Sequence, residues 1–100
     1  MSRRSFVGKK YESVTVSTTA VGITPSAGAL WALARVEGAD VRYRTDGTAP
    51  TATAGIRLKD GDVLEYVDSD VDYGPVLKSI KFIRQAATDA TIYVEYYAET

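Results

Sequence analysis

One hundred residues, 45% of them hydrophobic and 25% charged, make one domain that can bury a real core but keeps a large surface for its volume. A formal net charge of −1 gives no global pull toward nucleic acid or an anionic membrane. The chain has no His and no Cys, which excludes Ser-His, Cys-His and His-metal sites together with any disulfide, so neither enzyme activity nor a cofactor is expected.

The charge is polarised along the chain. Residues 1–10 (MSRRSFVGKK) carry Arg3, Arg4, Lys9 and Lys10 and no acid, and read as a basic arm, either frayed in solvent or docked on a neighbouring subunit. No apolar segment follows these basic residues, so a signal peptide is not expected. No apolar run reaches the roughly 18 residues needed to span a bilayer. The expectation is a soluble protein made in a cytoplasm, with a single β-sandwich domain over residues 11–100.

Tyr11 to Thr18 alternates Val14 and Val16 against Ser13, Thr15 and Ser17, which predicts a strand. Ala20 to Thr24 extends it or pairs as a short second strand, and Pro25-Ser26-Ala27-Gly28 is a turn signal. Leu30 to Val36 is short between turns and is taken as a strand despite its Ala and Leu content. Val41 to Thr45 is a clean strand. Asp46, Gly47 and Pro50 mark a turn, in which Asp46, Thr48 and Thr51 can bond local backbone. After Gly55, Ile56 and Leu58 point one way and Arg57 and Lys59 the other. Asp60-Gly61 predicts a hairpin turn, with Val63 to Val67 as the partner strand.

Residues 68–75 (DSDVDYGP) are an acidic loop. Asp60, Asp62, Glu65, Asp68, Asp70 and Asp72 have no base among them. The Asp68-Ser69-Asp70-Val71-Asp72 run has the spacing that opens an EF-hand loop. Tyr73 and Ser79 stand where that loop needs Gly and Glu, so no EF-hand is assigned. The run reads as a solvated acidic loop, as one that meets Arg and Lys of another chain, or as a looser calcium loop between strands. Val76 to Arg84 reads as a strand with Ile80 and Phe82 on one face, Gln85 to Asp89 as a turn, and Ala90 to Ala98 as the last strand. In that strand Ile92, Val94 and Tyr96 face inward, and Tyr93 and Tyr97 lie on the opposite face with Glu95.

Seven or eight short strands at regular spacing, with no convincing long helix, predict an all-β fold: a small antiparallel β-sandwich or jelly-roll-like barrel. The expected core is Val14, Val16, Leu30, Val41, Tyr43, Ile56, Leu58, Val63, Ile80, Phe82, Ile92, Val94 and Tyr96. Arg42 with Arg44, and Arg57 with Lys59, could form a basic patch beside Tyr residues. The acidic segment argues against a nucleic-acid partner. Tyr side chains suit interfaces, and Tyr93 and Tyr97 are the expected contact residues of a homo-oligomer. Arg3, Arg4, Lys9, Lys10, Asp68, Asp70 and Asp72 are expected to meet a partner surface through charge.

Val41 to Tyr66, VRYRTDGTAPTATAGIRLKDGDVLEY, resembles a segment of short structural proteins of tailed bacteriophages. The matching residues are Arg42, Arg44, Asp46, Gly47, Thr48, Pro50, Thr51, Gly55, Leu58, Gly61 and Asp62. The ending LKSIKFIRQAATDATIYVEYY is similar as well, so the resemblance covers residues 12 to 98. It implies a virion component assembled in a bacterial host. A capsid decoration or cement subunit bound to the major capsid protein fits the size and the charged arm, and a neck, tail or fibre part is the alternative. The Tyr43 to Thr51 portion also resembles the β-sandwich modules of chitobiase-like carbohydrate enzymes. Those modules sit inside much longer chains, whereas this one starts at Met1. A glycan-binding module would use Trp31, Tyr93 and Tyr97.

Overall fold

The alternating runs become two packed antiparallel sheets in the computed structural model, which describes residues 5–66 and 74–99. Strands β1 (Phe6–Val16), β2 (Val21–Gly22), β3 (Trp31–Glu37), β4 (Val41–Arg44), β5 (Ile56–Leu58) and β6 (Val63–Tyr66) come first. A short helix, α1 (Gly74–Ser79), and strands β7 (Lys81–Arg84) and β8 (Ala90–Glu99) complete the chain. Sheet A has the order β1-β8-β3-β6 and sheet B the order β2-β7-β4-β5.

The pairing follows one rule. β4 pairs with β5, β3 with β6, β2 with β7 and β1 with β8, all antiparallel. The chain is therefore one long hairpin doubled back at the 45–55 loop. It is rolled so that β8 also meets β3 and β7 also meets β4. That wrapping is a jelly roll, and it closes the hydrophobic faces of both sheets on each other.

The core follows from period-two alternation. Ala32, Ala34 and Val36 of β3 and Ala90, Ile92, Val94, Tyr96 and Ala98 of β8 point inward from sheet A. Val41, Tyr43, Leu58 and Phe82 meet them from sheet B. Register sets Tyr96 opposite Ala32, so a large ring lies beside a methyl group. Full burial of Phe82, Leu77, Ile80 and Ile92 contributes about 1.5–3 kcal/mol each.

Several expectations need correction. Residues 6–10 are not an arm: they form the first part of β1 and pair with β8 across an irregularity between Gly8 and Lys10. Asp60-Gly61 turns the chain, with Gly61 at φ +91°, but it makes no hairpin. β5 belongs to sheet B and β6 to sheet A, so this turn is a corner between layers. The corner resets the alternation: Leu64 and Tyr66 pack against the core while Val63 stands outside, 56% exposed. Ile56 keeps the orientation of Leu58, yet it begins a three-residue edge strand and is 61% exposed. Leu30 and Val14 are only half-buried.

The first half of 76–84 is helical rather than extended. Ile80 N–H donates to Val76 O, and Leu77 and Ile80, three residues apart, both reach the core. Arg3, Arg4, Asp68, Asp70 and Asp72 lie outside the described residues.

Candidate interaction face

Residues 42–55 build the tip of the folded ribbon. Asp46 Oδ1 accepts from Thr48 N–H at 3.2 Å, and Asp46 also pairs with Arg44. That pairing holds the Asp46 carboxyl below its ordinary range. Thr51 Oγ1 accepts from Ala54 N–H at 3.0 Å. Arg42 reaches across the loop and donates to Ala52 O at 3.0 Å and Gly55 O at 2.9 Å. Gly55 has φ +140°, and a Cβ there would stand 3.0 Å from Tyr43 O and 3.3 Å from the buried Pro50. Asp46, Gly47, Pro50 and Gly55 thus lie in the turn at the ribbon tip, closed by contacts within it.

At the opposite end of the sandwich, acidic side chains tie the corners together. Asp60 Oδ1 accepts from Gly38 N–H at 3.0 Å, and Asp60 N–H donates to Asp40 Oδ1 at 2.8 Å. Arg57 donates to Asp40 at 2.6 Å, which lowers the Asp40 pKa. Asp62 caps Lys59 N–H at 2.8 Å, and Asp89 takes Arg84 at 2.7 Å. Among the described residues no group of His, Cys, Asp or Glu is arranged to hold a metal.

A third polar cluster seals the side of the core. Glu12 accepts from Thr24 N–H and Thr24 Oγ1, each at 2.8 Å, and from the buried Tyr96 hydroxyl at 2.5 Å. Lys10 Nζ donates to Thr24 O at 2.6 Å. Burial opposes charge on Glu12, but the bonds from Tyr96 and Thr24 outweigh it and the pKa falls. Burial and the same carboxylate push the Tyr96 hydroxyl far up. Lys10, expected to meet a partner, is thus occupied within the chain, and Lys9 stays exposed on the irregular stretch of β1.

The outer face of sheet A differs from all of these. Register places Tyr11, Glu95, Leu33 and Glu65 in one row across the four strands. The next row holds Ser13, Tyr93, Arg35 and Val63. Tyr11, Leu33, Tyr93 and Val63, with Arg35 and Glu95 between them, line a shallow depression of about 370 Å³. Six large apolar side chains are prominently exposed among the described residues, and these four are gathered here. Arg35 and the hydroxyls of Tyr11 and Tyr93 have no partner among the described residues.

Beside the depression, Trp31 stacks on Tyr97 with centroids 4.4 Å apart and meets Phe6 edge-on at 5.7 Å. Trp31 Nε1 donates to Glu65 at 3.0 Å and the Tyr97 hydroxyl to Glu95 at 2.6 Å. Tyr93 and Tyr97 do share the outward face, as alternation predicts. Only Tyr93 presents a ring without an intramolecular stack.

Tyr11, Leu33, Arg35 and Val63 were not singled out from sequence as contact residues. For β3 a signal existed: Ala32, Ala34 and Val36 share one phase, which leaves Trp31, Leu33 and Arg35 on the other. Comparisons with protein-family models, curated proteins and solved structures find no match for this chain.

Proposed function

We propose that this chain is a non-enzymatic structural protein of a tailed-phage virion, a decoration or cement subunit that binds and stabilises the capsid shell. The observation that carries the reading is the outer face of sheet A. It is an apolar depression on a rigid sandwich whose described end loops are tied down by their own Asp, Arg and Thr side chains. Contiguous exposed apolar surface rimmed by charge suits protein docking. The resemblance of the Val41 to Tyr66 segment to short structural proteins of tailed phages supports the same assignment.

Copy number tests the reading. Quantitative mass spectrometry of purified particles should find copies in proportion to the major capsid protein. A single ring of copies per particle would move the chain to the neck, tail or fibre, and its absence from particles would end the virion reading.

One observation bears on a carbohydrate-binding module as the second reading. Trp31, Tyr93 and Tyr97 all lie on the outer face of sheet A, as such a module requires. Trp31 and Tyr97 turn a ring face toward each other, however, so each gives up one of its two faces for stacking on a sugar ring. Retention on a glycan array by the isolated chain, lost in Tyr93→Ala, would favour it.

A further inference from the structure

We infer that the outer face of sheet A is a self-docking surface, and that two copies of this chain pair across it about a two-fold axis. The inference deepens the virion reading by naming the occupant of the face that carries it: the subunit pairs with a second copy there and meets the shell through the surface that remains.

The face carries what an isologous contact needs, which is both halves of its own complement within one patch. Leu33 stands opposite Glu95, and Arg35 opposite Tyr93, on adjacent strands. These four residues form a parallelogram, with Arg35 and Glu95 at two opposite corners and Leu33 and Tyr93 at the others. A two-fold axis in the plane of the face, bisecting the line from Arg35 to Glu95, lays each Arg35 over Glu95 of the partner subunit. The same operation brings Leu33 and Tyr93, both close to the axis, against their own copies. Tyr11 and Val63 flank the pair on the outer strands. Arg35 has no partner among the described residues, so the contact supplies one rather than breaking one.

The depression is lined by one base and one acid, Arg35 and Glu95, so each copy brings the complement of the other. A strongly basic or acidic partner would find half of the charges opposed. That balance favours a second copy over a charged foreign surface.

Sedimentation equilibrium of the purified chain, with no virion component present, tests the inference. The wild-type chain should be a dimer at micromolar concentration. Arg35→Glu places like charges together at two symmetric points and should raise the dissociation constant by more than about a hundredfold. Glu95→Arg should do the same, and the combined reversal should restore the dimer. Both side chains stand at the surface, and a thermal melt of each sample checks that the fold is kept.

A monomeric wild-type chain overturns the inference. So does a dimer that survives Arg35→Glu, or one that the double reversal fails to restore while the melt is unchanged. A dimer with a chain that never enters particles would refute the virion reading alone.

Discussion

The outer faces of the two sheets use arginine in opposite ways. On sheet B, Arg42, Arg44 and Arg57 each end on an acceptor of their own chain, either a loop carbonyl or an Asp carboxylate. They stitch the ribbon tip and the corners and leave little chemistry to offer. On sheet A, Arg35 stands among Tyr11, Leu33, Val63 and Tyr93 with no partner among the described residues. The same residue type is architecture on one side and an open valence on the other. Charge content alone does not separate the two cases, because register and loop geometry decide where each guanidinium ends.

The comparison depends on a rigid core between the two faces, and the largest expected effect breaks that core. Val94 is 1% exposed at the centre of β8. Val94→Asp buries an unpaired carboxylate and should abolish the cooperative fold, seen as loss of the far-ultraviolet β spectrum. Gly55→Val is next. It combines a positive φ with approach to Tyr43 O and Pro50, and should cost about 2–4 kcal/mol in a denaturant titration. Gly47→Val, at φ +87° in open space, meets no close contact but should still cost more than about 1 kcal/mol.

Glu12→Ala leaves the buried Tyr96 hydroxyl without its acceptor and should cost about 1–3 kcal/mol. The pH dependence has a definite sign. The Glu12 pKa is lowered on folding, so its stabilisation is present above the ordinary value of 4.5 and fades as pH falls through the lowered folded value. Glu12→Gln should therefore flatten the acid side of the stability profile. The residual slope belongs to Asp40, Asp46 and Asp89, which are lowered in the same direction.

The smallest expected effect on stability sits on the candidate face. Tyr93→Ala should change monomer stability by less than about 0.5 kcal/mol, because the ring stacks on no other described aromatic residue. Tyr97→Ala removes the stack on Trp31 and should cost about 0.5–1.5 kcal/mol. The two substitutions thus sharpen the difference between a ring used by the fold and a ring left for a partner.

Local patterns carried much of the fold. Alternation placed Val41 and Tyr43, and Ile92, Val94 and Tyr96, correctly in the core, and Asp46-Gly47 marked the ribbon tip. The hairpin expected at Asp60-Gly61 is a corner instead, because a turn residue specifies φ and says nothing about which sheet the next strand joins. Val63, expected in the core, therefore stands outside. The helix at Gly74–Ser79 was hidden because Ile80 and Phe82 continue a strand pattern, although the Leu77–Ile80 spacing is helical. Tyr93 was legible as outward-facing from its own strand. Its neighbours Tyr11, Leu33 and Val63 come from three other strands, and only the rolled topology brings them together.

One paired measurement reaches the central claim that sheet A presents an interface and sheet B does not. Arg35→Glu and Arg42→Glu make the same charge change on the two faces. Each variant is weighed by sedimentation at micromolar concentration and melted in dilute solution, where association adds nothing to stability. Arg35→Glu should be monomeric with the wild-type melting temperature, and Arg42→Glu dimeric with a lowered one. Two variants with the same mass as the wild-type chain and equally lowered melting temperatures would contradict the account.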